Sequence, residues 1–254
     1  MQTEAVLVVT IEGNIATLTV NKPKAMNVVD FDITEALKNA CQTLPAEVRA
    51  VVLKANGPAF SGGGNIRSMQ ENMADIAPFL DRLIDSFHGA IAALRNLPVP
   101  VICAVQGAAA GGGLSLALAG DLVVAAESAK FVVAYPKLAV SCDGGLSYAL
   151  ERRIGPARAQ ELMLTNAALG AAQAQSLGLV TQVVADDQLG AAAETLAKKI
   201  AALPPQAIRE IKGLFSDGEA LRQRLDREKA AFLRCAARDD FRTAVEAFLA
   251  PKKG

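Results

Sequence analysis

Pro98-Val-Pro-Val-Ile-Cys-Ala-Val-Gln-Gly-Ala-Ala-Ala-Gly-Gly-Gly113 is the stretch that decides the architecture. Its β-branched run, Val99 to Val105, reads as a buried strand; Gln106 and the glycines turn the chain, and the small residues Leu114 to Ala119 continue as a helix. Strand, glycine turn and helix form one unit, and the unit recurs. Val51 to Leu53 leads in the same way to Gly62-Gly63-Gly64 and on to a segment that reads as helical. Further strands are expected at Leu122 to Ala125 and Phe131 to Val133, and the N-terminus alternates as a hairpin: Val6 to Ile11, a turn at Glu12-Gly13-Asn14, then Ile15 to Val20. Helices are expected over about Asp32 to Leu44, Ala77 to Asn96 and Gly144 to Ile154. From about Leu189 strand-like runs stop and the chain reads as all-helical. The alternation argues for an α/β fold carrying a helical C-terminal region that either folds back on the core or packs on a neighbouring subunit.

Asn96 to Gly120 holds no charged residue and is as long as a membrane span. Pro98, Pro100, Gln106 and five glycines divide it into pieces, which suits a buried strand-turn-helix and not a membrane helix. Lys plus Arg (26) equals Asp plus Glu (26) in a chain that is 52% hydrophobic, so disorder is disfavoured and net charge gives no pull on a nucleic acid. The four cysteines, Cys41, Cys103, Cys142 and Cys235, lack metal-type or disulfide-framework spacing, and no metal site is expected. With no signal peptide before the first strand, a reducing compartment, the cytoplasm, is the expected location.

Four features could carry chemistry. A glycine without Cβ lets a backbone N–H approach a ligand closely, so two glycine triplets could serve as tight turns or could present N–H donors to a carbonyl oxygen that gains negative charge. Asp143, in Val140-Ser-Cys-Asp-Gly-Gly-Leu146, stands at the start of a helix, where it could cap the helix or act as an acid/base carboxylate. His88, the one histidine, lies on the flank of the apolar stripe formed by Leu80, Leu83, Ile84, Phe87, Ile91 and Leu94, where it could touch a pocket or be half-buried against backbone. Cys142 has no base in register to activate it. Lys22, Lys24 and Arg67 are cations near the first turn and first triplet that could receive phosphates, but neither glycine region has the GxGxxG or Walker spacing.

The motifs Asn21-Lys-Pro-Lys-Ala-Met-Asn27, Ala59-Phe-Ser-Gly-Gly-Gly-Asn-Ile66, Pro98 to Gly113, Gly120-Asp-Leu122 and Glu161-Leu-Met-Leu-Thr165 together resemble the crotonase (enoyl-CoA hydratase/isomerase) superfamily over nearly the whole chain. The resemblance implies a spiral of ββα units over residues 1–190 with a CoA-ester site, and a helical oligomerisation region over 191–254 that forms trimers, often paired into hexamers. It implies an acyl-CoA thioester as substrate, with no cofactor beyond the coenzyme A that the substrate carries. By motif position, Gly64 and Gly112 match the oxyanion-hole donors, Lys24 and Arg67 match positions that contact CoA, and Gly62, Gly63, Asn65 and Ile66 complete the binding loop. Asn65 replaces the aspartate common at that place.

The departures bear on the reaction. Hydratases of the family carry two glutamates where this chain has Ser115 and Tyr135, and neither hydroxyl is a base at neutral pH. Asp143 stands where those glutamate hydratases usually have glycine, and an aspartate there resembles the isomerase branch, including enzymes that act on epoxyphenylacetyl-CoA or shift acyl-CoA double bonds. The expectation is an isomerase with one working carboxylate, Asp143, and with Tyr135 shaping the pocket. The set His88, Tyr135 and Asp143 also resembles 4-chlorobenzoyl-CoA dehalogenases, although those carry tryptophan at the aromatic position and this chain has none. A non-catalytic or RNA-binding homologue would rest on Arg222, Arg224 and Arg227, which are interleaved with Asp226 and Glu228 as on an ordinary solvated face.

Overall fold

A computed structural model of the chain describes residues 5–251. Strands β1 (Leu7–Glu12) and β2 (Ile15–Val20) make the expected hairpin, with Glu12 opposite Ile15 and Gly13 turning at φ 58°. Seven more strands follow: β3 (Ala50–Ala55), β4 (Val101–Val105), β5 (Ala108–Ala110), β6 (Leu122–Ala126), β7 (Lys130–Val132), β8 (Ala168–Gly170) and β9 (Gln182–Val184). They form a six-stranded sheet of order β1-β2-β3-β4-β6-β9 and a three-stranded sheet of order β5-β7-β8. Beyond the hairpin the large sheet is parallel. Parallel neighbours need crossover connections. The first is α1 (Phe31–Thr43), and the second runs through α2 (Ile66–Glu71) and α3 (Ile76–Arg95).

Strand periodicity divides the core. Val51, Leu53, Val101, Cys103, Val105 and Val123 face one layer, under α1 and α3, while Ala50, Val52, Ile102, Ala104, Val124 and Ala126 face the other. Both faces are dry, which is why β4 reads as an unbroken apolar run and not as an alternating one. The continuation, α4 (Gly112–Ala119), is buried at all eight positions, so the uncharged stretch is core. No described helix is long and apolar enough to cross a membrane.

Three boundaries differ from the sequence reading for local reasons. Helix α4 begins at Gly112, because Gly111, at φ 51° and ψ −121°, is the last residue outside it. Helix α5 (Leu146–Ile154) begins two residues later than expected, because Gly144 and Gly145 both take left-handed backbone, φ 66° and 76°. The expected division after residue 190 falls inside a helix. After α6 (Pro156–Leu164) and α7 (Ala171–Ser176), α8 (Leu189–Ala201) lays Leu189, Ala193 and Ala197 on the second face of the sheet and is a layer of the core.

The remaining helices do two different things. Helix α9 (Pro205–Phe215) buries none of its residues, and its Ile211, Leu214 and Phe215 are exposed. Helix α10 (Gly218–Ala236) packs on α3 and α5, and α11 (Asp239–Leu249) packs on α2 and the 3-10 turn Tyr135–Leu138. Both therefore return to the core.

The buried thiols make stability sensitive to alkali. Burial pushes Cys103 on β4 up to about 12 and Cys41 on α1 up to about 11. A thiol raised in the folded state contributes stability that is present below its unfolded value, about 8.5, and lost as pH rises toward the folded value. For Cys103 the expected loss is about 1.4 kcal/mol per pH unit above about 8.5. Urea midpoints measured from pH 8 to pH 10.5 check it: the fall should be steeper for the wild type than for Cys103→Ala, measured against each protein's own value at pH 8.

Candidate active site

The two glycine loops are zipped together by backbone. Ser61 N–H donates to Ala108 O (3.0 Å) and Ala110 N–H donates to Ser61 O (3.0 Å). The contact leaves no room for side chains: a Cβ on Gly63 would stand 2.6 Å from Ala110 O, and one on Gly113 would stand 2.5 Å from Ser61 O. Within the triplets, Gly62 N–H donates to Met26 O, Gly63 N–H to Ser61 Oγ and Gly111 N–H to Val132 O. The N–H groups of Gly64 and Gly112 donate to no acceptor among the described residues. That of Gly112 is free because it opens the first turn of α4, where no intrahelical acceptor exists.

Gly64 and Gly112 both line one cavity of about 130 Å³. Its walls are apolar: Leu80, Leu83, Ile84 and Phe87 come from α3, and Phe232 and Phe248 come from α10 and α11. Asp143 is the one acid among its lining residues, and Lys137 is the one cation. Neither Lys137 nor the two phenylalanines is among the site residues expected from the sequence.

Asp143 is buried, with a side chain 7% exposed, and is held from three directions. His88 Nε2 lies 2.5 Å from its Oδ1. Its backbone carbonyl accepts from Ser115 Oγ (2.7 Å) and Tyr135 Oη (3.0 Å), which are 2.9 Å from each other. Burial and the nearby Asp143 carboxylate push the Tyr135 phenol well above its ordinary range, so it stays a donor. The third hold is on the turn that follows. Glu228, from α10 and 4% exposed, accepts from Gly145 N–H (2.6 Å), Ser147 N–H (2.8 Å) and Ser147 Oγ (2.5 Å). Glu228 thus caps α5, and Asp143 does not: its Oδ2 accepts no bond among the described residues.

The structure brings Asp143, Gly62, Gly63, Gly64, Gly112, Tyr135 and Ile66 to the cavity, but not four other expected site residues. His88 touches Asp143 from behind and does not line the cavity, because it sits on the flank of α3 while the apolar stripe faces the space. Asn65 caps α2, accepting from Ser68 N–H (3.1 Å), in place of touching the cavity. Lys24 and Arg67 are exposed and lie outside its lining, Lys24 on the short helix before Met26 and Arg67 on the first turn of α2. Burial, and then the carboxylates of Glu228 and Asp143, raise the Cys142 thiol, which disfavours the thiolate that a nucleophile needs.

The enoyl-CoA hydratase/isomerase family model matches residues 10–253. The chain belongs to the enoyl-CoA hydratase/isomerase family. It is 36% identical over 248 residues to the 1,2-epoxyphenylacetyl-CoA isomerase of Escherichia coli, covering 95% of this chain and 94% of that one. It is 34% identical to a probable enoyl-CoA hydratase of Rhizobium meliloti, covering 100% and 98%. A solved structure of a putative enoyl-CoA hydratase from Thermobifida fusca in complex with acetoacetyl-CoA is 32% identical, with a TM-score of 0.78 over 89% of this chain and 93% of that one. The crotonase fold expected from the motifs is therefore present, with its helical C-terminal region. Relatives carry both hydratase and isomerase names, so family membership alone leaves the reaction open.

Proposed function

We propose that this chain is an acyl-CoA isomerase that works with one carboxylate. The observation that carries the reading is the cavity's inventory: one acid, Asp143, with Oδ2 free, facing the same space as the free N–H groups of Gly64 and Gly112. Ser115 and Tyr135 spend their hydroxyls on the Asp143 carbonyl, so they do not hold a water as a pair of glutamates would. A thioester oxygen on the two N–H groups brings its α-carbon protons toward Asp143. The carboxylate removes one, the N–H donors stabilise the enolate oxygen, and the same carboxylate returns the proton at another carbon. Removing one such donor in other enzymes costs about 3–4 kcal/mol, so the glycine pair supplies a large share of the rate.

The coenzyme A portion of the substrate would leave the cavity past Gly62 to Gly64, where exposed Lys24 and Arg67 can meet phosphate, and Lys137 stands at the lining. The E. coli relative, a 1,2-epoxyphenylacetyl-CoA isomerase, supports an aromatic or short acyl group for a space walled by Phe87, Phe232 and Phe248. Incubating the protein with a panel of acyl-CoAs in D₂O tests the reading by mass spectrometry. Deuterium should enter the acyl chain with a positional isomer as product; a product heavier by one water would instead establish a hydratase. Single turnover of a halogenated aroyl-CoA in heavy-oxygen water, leaving label on Asp143, would replace the isomerase by the dehalogenase-like route.

The exposed α9 face supports the expected homo-oligomer, because Leu214 at 83% and Phe215 at 70% exposure have no cover among the described residues. Light scattering should give a trimer or hexamer mass, and the Leu214→Glu, Phe215→Glu double variant should give a smaller species. A wild-type monomer at micromolar concentration would reject the oligomer. On α10, Arg222 pairs with Glu219 and Arg224 with Glu151, which leaves little of the arginine cluster for RNA.

A further inference from the structure

We infer that Glu228 is a positioning residue for the reaction: from α10 it fixes both ends of the turn Gly145–Ser147 and so aims the Asp143 carboxylate into the cavity. The inference rests on the isomerase reading of Asp143 and assigns a duty to a residue that the mechanism itself does not use.

The local backbone makes the turn dependent on outside help. Gly144 and Gly145 are consecutive left-handed residues between Asp143 and α5, and no side chain of the turn caps the helix. Gly145 is confined from outside, since a Cβ there would stand 3.3 Å from Leu221 and 3.6 Å from Leu225, both on α10. Two adjacent glycines have the widest choice of backbone states in the unfolded chain and lose the most on ordering. Their order must come from fixed partners, and Glu228 supplies the polar ones across 83 and 81 residues of sequence.

The donor set fits a carboxylate and little else. Two N–H groups and one O–H converge on its two oxygens at 2.5–2.8 Å, with Cys142 Sγ 3.7 Å away. Every neighbour gives a proton and none takes one. A glutamine would turn an NH₂ group toward one of these donors, so Glu228→Gln is not conservative here despite its shape. Arg224 steadies the arrangement from the rim, with Nη1 3.3 Å from Ser147 Oγ and Nη2 2.7 Å from Glu151. Leu225 and Phe232, one helical turn either side, bury Glu228 on the apolar stripe of α10. Helix α10 therefore does more than wall the cavity with Phe232: it sets the aim of the base.

The test compares Glu228→Gln, Ser147→Ala and Asp143→Asn in the substrate that the D₂O panel identifies. Glu228→Gln is expected to lower kcat about 30–100-fold with KM within threefold, and hydrogen-exchange mass spectrometry should show faster exchange confined to peptides spanning 143–147. Ser147→Ala, which removes one of the three strong donors, should lower kcat about 3–10-fold with KM unchanged, and it decides the matter if Glu228→Gln does not fold. Wild-type kcat in whichever of these folds, beside an inactive Asp143→Asn, overturns the positioning role alone. A fully active Asp143→Asn overturns the reading beneath it.

Discussion

Replacing Asp143 by Asn should lower turnover about 10³-fold or more while leaving the affinity for a non-reacting acyl-CoA analogue within about threefold. The substitution is chosen for what it preserves. Asparagine keeps an oxygen for His88 Nε2 and keeps the backbone carbonyl that Ser115 and Tyr135 hold, so the turn and the cavity wall should survive. It removes the one group among the lining residues able to take a proton at neutral pH. General-base removal is worth about 10²–10⁴-fold, and a mechanism that uses the same carboxylate to remove and to return the proton loses both steps at once. Deuterium entry at the α-carbon must fall with turnover. Exchange that persists at the wild-type rate in Asp143→Asn would mean that another group is the base, and the reading of the cavity would be abandoned.

How much of this was legible beforehand follows from the range of the interactions. The strand-turn-helix units, the buried uncharged stretch and the glycine pair are local patterns, and each appears where the sequence places it, within a residue or two. The strands β5, β8 and β9 carry three residues each, and unlike β7, also of three residues but read from its run Phe131 to Val133, they have no β-branched or aromatic run long enough to mark them. Asp143 was visible as a carboxylate with two readings, and the sequence could not choose, because the choice depends on Glu228, 85 residues away. Glu228 had a signal: it stands three residues after Leu225 and four before Phe232, on a stripe that should be apolar, and a charge there needs partners. In the sequence it reads as part of a solvated face, because its charge is interleaved with those of Arg224, Asp226 and Arg227. His88 was placed on the correct flank of its helix, but sequence does not say that Asp143 fills the gap between the flank and the cavity.

Gly113→Ala is expected to cost about 2–3 kcal/mol of stability and about 10²-fold in kcat/KM. Gly113 does not need unusual backbone, since it lies inside α4, and alanine is the better helix former. The cost comes entirely from space. The new Cβ would stand 2.5 Å from Ser61 O, 2.7 Å from Ser61 Cβ and 2.9 Å from Ser61 Oγ, so two loops must part by roughly an ångström. Ser61 is the hinge of both: its N–H and C=O pair with Ala108 and Ala110, its Oγ accepts from Gly63 N–H, and it donates to Asn27 O. Parting them moves Gly64 relative to Gly112, which spoils the convergence of the two free N–H groups even if the protein stays folded. Gly111→Ala is the contrasting case. Its Cβ would meet only Ala134 Cβ at 3.9 Å and Val133 O at 4.0 Å, so its penalty is the strain of φ 51° and ψ −121°, about 1–3 kcal/mol, without direct pressure on Ser61. If Gly113→Ala loses activity well beyond Gly111→Ala at similar stability, the spacing of the two loops is what the catalysis depends on. Equal activity in the two variants at matched stability would show that the loops tolerate parting, and the assignment of Gly64 and Gly112 as a preorganised pair would fall.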